Sequence, residues 1–222
     1  RRQNQRVLKV LFFGEINPQA QLGFFILAAS LRTVFSTQHD LRGAVLIVLF
    51  DHHLLRAGRD LPVNASGGIN GQKIKLITKD DAYKVPETVK QTKALIEEAQ
   101  PVALFGFVGT GNIEAVLKEK ILDDNGIPLV MIRTGATSLA KSGNPWMFIT
   151  RASYAGEIGK IFQLYSATGY KNYGIFYQDD PFGQDGLASA EALAEKHGCK
   201  IVAKGSYEKN TTNVANAVKT IA

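Results

Sequence analysis

Two short runs combine hydroxyls, glycines and backbone amides in a way that suits an anion. They are Gly109-Thr110-Gly111-Asn112 and Arg133-Thr134-Gly135-Ala136-Thr137-Ser138. Each follows an apolar run and precedes a helical pattern, so N–H groups and a helix dipole would converge on one point. The first run lacks the Gly-Lys-Ser/Thr ending of a phosphate loop. Glu114 stands where the third glycine of a dinucleotide fingerprint belongs. A carboxylate-binding loop and a plain strand-to-helix turn both fit these residues. Asp80-Asp81 and Asp179-Asp180 are carboxylate pairs at strand ends. No nucleophile–base pair accompanies them, which points to turn or N-cap roles rather than acid–base chemistry. Asp51-His52-His53 lacks the helical His-x-x-x-His spacing that would converge on a metal. No Gly-x-Ser-x-Gly elbow is present, and the single cysteine, Cys199, lies between Gly198 and a strand pattern. These absences disfavour a nucleophilic enzyme and exclude an intrachain disulfide and a cysteine-rich zinc site.

The elements that must position these loops alternate along the chain. Strands are expected at Val7–Phe13, Lys73–Thr78, Val102–Val108, Ile127–Ile132, Tyr173–Tyr177 and Lys200–Ala203. These runs suit parallel strands covered on both faces. Helical patterns lie between them. Pro86 opens one whose face is Val89, Thr92, Ile96 and Ala99. Asn112 is expected to cap the next, with Ile113, Val116, Leu117 and Ile121 inward and Gly126 as its stop. Ala155–Ala167 and Gly183–His197 follow. Alternating strands and helices predict a doubly wound α/β fold, in which ligands bind beyond the carboxyl ends of the strands. The candidate loops are then Gly14–Gly23, Asp80–Pro86, Gly106–Asn112, Arg133–Leu139 and Gln178–Gly183. Phe24–Pro62 holds three of the four histidines and little periodicity, and stands apart as an atypical segment.

The chain has 222 residues, 45% hydrophobic and 21% charged, with net charge +6. Its basic residues are interspersed with acidic ones, as in Lys118-Glu119-Lys120, without an aromatic-interleaved basic cluster, which argues against nucleic-acid binding. The most apolar run, Gly43–Phe50, is far too short to span a membrane.

Read in order, the loops resemble one family. Val63-Asn64-Ala65-Ser66-Gly67-Gly68-Ile69-Asn70-Gly71, a strand, then Asp80-Asp81 is similar to the type I periplasmic binding proteins, in their leucine/isoleucine/valine-binding branch. Gly106-Phe107-Val108-Gly109-Thr110, Gly126-Ile127-Pro128-Leu129-Val130, Arg151-Ala152-Ser153-Tyr154 and Tyr177-Gln178-Asp179-Asp180-Pro181-Phe182-Gly183 continue the resemblance in register. It implies two α/β lobes joined by a hinge, residues 1–147 and 148–222, with a first crossing near Phe148–Ala152. It also implies capture of an amino acid or similar small carboxylate for an ABC permease, a periplasmic or lipid-anchored location after a signal peptide, no cofactor and no catalysis. The ligand residues it implies are Leu22 as pocket wall, Thr110, Arg133, Thr134 and Gly135 from the first lobe, and Tyr154 and Phe182 from the second.

The sequence departs from the family in three places. Lys9–Gly14 resembles the family's opening strand and Pro18–Gly23 its first ligand loop, but Phe24–Pro62 is longer than the helix that should follow. An insertion or a frameshifted stretch would account for it. The chain ends inside what resembles a second-lobe helix, so the acidic residue that holds a ligand amino group is expected to be missing and binding by this polypeptide alone to be weak. Tyr83 and Gly109 stand where some relatives have a disulfide. A sensory module of the same fold, akin to amide sensors, is the competing function class. A DNA-binding repressor would need a helix-turn-helix ahead of the first strand.

Overall fold

Apolar runs bounded by glycine or aspartate form two parallel sheets. A computed structural model describes residues 7–9, 45–49 and 62–222 of the chain. The larger sheet contains β2 (Val45–Leu49), β3 (Lys75–Lys79), β4 (Ala103–Phe105), β5 (Leu129–Val130) and β6 (Met147–Phe148), in the order β3-β2-β4-β5-β6. The smaller contains β1 (Val7–Lys9), β7 (Asn172–Gln178) and β8 (Lys200–Tyr207), in the order β1-β7-β8. Every pairing in both sheets is parallel. This is the α/β architecture with parallel sheets that the alternation of elements predicted, and its division into two sheets is what the family resemblance implied.

The helices follow from local chemistry. After the short α1 (Pro62–Ala65), α2 (Val85–Ala99) starts with proline in its first turn and buries Thr88, Thr92 and Leu95. The pattern read as one helix from Asn112 to Gly126 is two: α3 (Thr110–Lys118) and α4 (Ile121–Asn125). Lys120 between them adopts φ 53°, which breaks the hydrogen-bond ladder. Gly126 then ends α4 in the left-handed region, as expected. α5 (Thr137–Lys141) is short, and α6 (Tyr154–Ala167) is capped by Ser153 Oγ, which accepts from Gly156 N at 3.1 Å. α7 (Pro181–Lys196) is capped by Asp180, which accepts from Gly183 N, and α8 (Ala215–Ile221) packs on β8.

One buried cluster joins the two sheets. Leu104, Ile113, Leu122, Leu129 and Leu139 of the first half continue through Tyr154, Ile158 and Phe162 to Tyr173, Ile175 and Ala190 of the second. Fully burying a side chain of this kind contributes roughly 1.5–3 kcal/mol.

Of the expected strand Val7–Phe13, Val7–Lys9 is described and pairs with β7 in the second sheet, Val7 opposite Asn172, while the rest of Lys9–Gly14 lies outside the described residues. The central place in the first sheet belongs to Val45–Leu49, which pairs with β3 on one side and β4 on the other. A strand flanked on both edges in a parallel sheet favours an unbroken apolar run, and Val-Leu-Ile-Val-Leu satisfies that better than a run interrupted by Lys9. Leu22 and Asp51-His52-His53 lie outside the described residues.

Candidate functional site

Strand ends deliver the candidate residues to one place. Thr110 is the first residue of α3, just past β4, and Thr134 follows β5. Both are fully buried, and their hydroxyl oxygens lie 2.7 Å apart. Tyr154, the first residue of α6, donates its phenol to Thr134 Oγ1 at 3.1 Å. Phe182, in the first turn of α7, packs edge-to-face on Tyr154 with ring centroids 5.3 Å apart. The structure therefore brings Thr110, Thr134, Tyr154 and Phe182 together. Gly135 adjoins them, since Tyr154 N donates to Gly135 O at 2.8 Å. Arg133 is half-buried, and its N–H donates to Phe107 O at 2.7 Å, extending the β4–β5 pairing. The guanidinium of Arg151, itself ion-paired with Glu157, lies 5.1 Å from the Tyr154 ring centroid.

The protons can be placed by counting. Thr134 Oγ1 accepts from Tyr154 Oη and, at 3.3 Å, from Ala136 N. A hydroxyl offers two lone pairs and one hydrogen. The hydrogen of Thr134 accordingly goes to Thr110 Oγ1, and Thr110 retains its own hydrogen to donate elsewhere. That hydrogen sits at the N-terminus of a nine-residue helix, where partial positive charge favours an anion.

Two glycines make the geometry possible. At Gly135 a Cβ would lie 2.5 Å from Ala152 O and 3.0 Å from Tyr154 N. Gly109 has φ 97°, and a Cβ there would meet the Tyr83 ring at 2.5 Å and Asn112 Oδ1 at 2.6 Å.

A second polar cluster lies beside the first; the sequence reading names Asp81, Tyr83, Asn112 and Asp180 without bringing them together and does not single out Thr88 or Lys209. Asn112 is not the helix cap expected of it, because α3 begins two residues earlier. Its buried amide instead donates to Thr88 Oγ1 at 2.7 Å and accepts from Lys209 Nζ at 2.9 Å. Thr88 Oγ1 donates to Asp81 Oδ2. Lys209 Nζ also lies 3.6 Å from the Tyr83 ring centroid and 3.8 Å from Asp180 Oδ2. Burial pushes Asp81 above the usual carboxylate range, against hydrogen bonds from Thr88, Tyr83 N–H and Asn112 that pull it down. Burial likewise lowers Lys209, although Asp180 and Asp81 pull it up. Tyr83 is pushed to about 12, chiefly by burial.

On the other side, Asp185 of α7 accepts from Thr137 N at 2.8 Å and Ser138 N at 3.4 Å. A signal for Asp185 was available. It lies three residues beyond Phe182 on one helix and so shares its face. Lys209 carries no such signal, because its surroundings come from three strand-end loops distant in sequence. Asp80 and Asp81 do form the expected turns, accepting from Ala82 N at 2.7 Å and Tyr83 N at 2.6 Å. Among the described residues no cluster of His, Cys, Asp or Glu could hold a metal ion, and no helix is long and apolar enough to cross a membrane.

Comparison with known proteins agrees with this architecture. The chain is 31% identical over 146 residues to an amino acid binding protein of Pseudomonas aeruginosa, covering 63% of this chain and 37% of the relative. It superposes on a substrate-binding periplasmic protein from Ralstonia solanacearum with TM-score 0.70 and 33% identity, covering 80% of this chain and 52% of that one. An extracellular ligand-binding receptor from Verminephrobacter eiseniae matches with TM-score 0.65 and 28% identity, over 75% of this chain and 50% of that one. The chain thus spans about half the length of these solved structures. The sequence profile described as periplasmic binding protein matches residues 62–222, most of the chain, and with the strand order and ordered loops already described it places the chain in the periplasmic binding protein family.

Proposed function

We propose that this chain forms the ligand-capturing part of an extracytoplasmic receptor, which encloses an amino acid or similar small carboxylate between its lobes for delivery to an ABC permease. On this reading the lobes are residues 1–147 and 148–222 with a first crossing near Phe148–Ala152, except that Val7–Lys9 pairs with β7 in the second sheet. The observation that carries this reading is the Thr110 hydroxyl. It is buried, it sits at a helix N-terminus, and its hydrogen remains after Thr134 is saturated. A buried carboxylate must be compensated by such donors. Gly135 N–H and the Arg133 side chain are further candidates for the same carboxylate. Tyr154 and Phe182, packed edge-to-face, form a wall for the apolar part of the ligand. Leu22 is proposed to complete that wall. The amino acid binding protein of Pseudomonas aeruginosa supports the ligand class. The reading requires no cofactor and assigns no catalysis.

A thermal-shift screen of the full-length protein against amino acids and small mono- and dicarboxylates tests this. At least one should raise the melting temperature, since ligand at 100 times its Kd stabilises by about 2.7 kcal/mol. Thr110→Val should weaken that ligand roughly 10- to 100-fold, the value of a hydrogen bond to a charged group. No response to any small carboxylate, or an unchanged affinity in Thr110→Val, would overturn the proposal.

A further inference from the structure

Among the described residues, seven other than glycine have φ in the left-handed region. Six have a local reason for it. Gln100 and Lys120 stand at helix ends, where this conformation commonly stops a helix. Asn70 and Asn210 are of the residue type that tolerates it best. Ala82 and Tyr83 are tied down by Asp80 and Asp81, whose carboxylates accept from their N–H groups. The seventh is Met131, at φ 53°. It is neither an asparagine nor at a helix end, and it lies between two paired stretches of backbone.

The residue opposite Met131 is also left-handed. Leu104 pairs with Leu129 and Phe105 with Val130, and pairing resumes with Val108 opposite Arg133. The offset is the same throughout, so residue 131 faces Gly106, which has φ 74°. Both chains therefore kink at one level, just past β4 and β5. The hydrogen bonds show the result. Gly106 N donates to Val130 O at 3.1 Å. In a regular parallel pair the next bond returns from residue 132 to the carbonyl of residue 106. Here it runs from Arg133 N to Phe107 O at 2.7 Å. Each chain has skipped one residue in its alternation. A skip in one chain alone would slip the register, and the matched pair preserves it.

We propose that Met131 is a positioning residue, which with Gly106 forms a matched left-handed kink that shifts the alternation past β4 and β5 by one residue and so brings Thr110 and Thr134 together. Successive residues of an extended chain point to opposite faces, so a one-residue shift decides whether residue 133 or residue 134 turns inward. Thr134 is fully buried and bonded to Thr110, whereas Arg133 is half-buried. Glycine adopts the left-handed conformation freely, but a Cβ opposes it, so Met131 is strained where Gly106 is not. Such strain persists only where the surroundings over-determine it, and it collects at functional sites. Pairing on both flanks supplies that constraint, together with the burial of Val130 and Ile132 on either side.

Residue 131 acts here through its backbone and not its side chain, so two kinds of substitution have opposite expected effects. The importance of the Thr110–Thr134 pair rests on the proposed carboxylate site, but the kink is measured without ligand. Amide exchange in the full-length protein, followed by nuclear magnetic resonance with labelled leucine, arginine and threonine, reads Leu104 N–H before the kink and Arg133 N–H past it. Met131→Gly and Met131→Asn favour the left-handed region more than methionine does and should leave Arg133 at least as protected as in wild type. Met131→Val, which is β-branched, should speed Arg133 exchange roughly tenfold or more while Leu104 changes little. The Thr134 hydroxyl proton, held on Thr110, should follow the same order, which a residue that only filled space would not impose. If Met131→Val does not fold, the other two variants decide alone, because both remove the methionine side chain. Protection of Arg133 kept in both then supports the proposal, and protection lost in either overturns it. Protection lost in Met131→Gly but kept in Met131→Val would assign the effect to the side chain and overturn it. Equal protection in all four proteins would overturn it too. A failed ligand screen would leave these exchange rates untouched, so the two readings fail separately.

Discussion

The two polar clusters between the lobes lie side by side, yet they are built on opposite principles. The Thr110–Thr134–Tyr154–Phe182 cluster contains no charge and holds its parts with hydroxyls and aromatic edges. The Asp81–Thr88–Asn112–Lys209–Asp180 cluster is a chain from carboxylate to ammonium to carboxylate, through one hydroxyl and one amide. Neutral hydroxyls exchange partners at small cost, because each hydrogen bond is worth about 1 kcal/mol net. A buried charge left without its partner costs several. The first cluster is thus the easier to rearrange, as the proposed ligand site requires, and the second is the costlier to take apart.

The sharpest way to break the comparison is to damage one cluster and ask whether the other survives. Gly135→Val is expected to have the largest effect. Its Cβ would lie 2.5 Å from a backbone oxygen, which cannot move as a flexible side chain would. Overpacking of this kind costs about 3 kcal/mol, or about 8 °C in melting temperature for a domain of this size. The displaced segment carries Tyr154, so the Tyr154–Thr134 bond should go with it. The perturbed Lys209 environment should persist, as seen in the chemical shift of its labelled ε-carbon. Equal loss of both clusters would mean that they form one unit.

Thr134→Val comes next. It retains the shape but deprives Thr110 Oγ1, Tyr154 Oη and Ala136 N of a shared partner. Leaving buried donors unsatisfied costs about 2 kcal/mol. Thr134→Ser should recover most of it, because the hydroxyl, and not the methyl, makes these bonds. Denaturant unfolding of the three proteins checks the order wild type, Ser, Val. If Val matches wild type, the neutral cluster contributes packing alone.

How much of this was legible in the sequence depended on whether the signal was local. Thr110, Thr134 and Phe182 lie in loops that the rule of ligand binding beyond strand carboxyl ends brings together, whereas Tyr154 and the ligand role of Phe182 came from the family resemblance. The apolar runs at Val102–Val108 and Tyr173–Tyr177 likewise became β4 and β7, because continuous apolar runs suit strands covered on both faces. The strand at Val45–Leu49 was not singled out, for a related reason. Val7–Phe13 and Gly43–Phe50 both read as apolar runs, and only pairing decides which is central. Lys209 was invisible because lysine is ordinarily exposed, and nothing within ten residues announces that an amide from residue 112 will meet it. Asn112 was misread because asparagine near a helix start usually caps it, and the long-range bonds to Thr88 and Lys209 took precedence here.

The smallest expected effect sharpens the comparison most, because it asks whether the charged cluster pays for its charge. Asp81 is 1% exposed, and burial raises its pKa in the folded state above the ordinary aspartate range despite three hydrogen bonds that favour the anion. The folded protein therefore binds this proton more tightly than the unfolded chain does. Stability from this group is full below the ordinary aspartate pKa and declines as pH rises through the raised folded value. Asp81→Asn cannot titrate, and its amide can still accept from Tyr83 N while donating toward Thr88. The difference in unfolding free energy between wild type and Asp81→Asn should therefore move steadily in favour of the variant across that window and be flat on either side. Urea titrations of both proteins at closely spaced pH values measure it. A difference that moves the opposite way would mean that the hydrogen bonds and the field of Lys209 outweigh burial at Asp81, and that the charged cluster stabilises the fold as an ionised carboxylate.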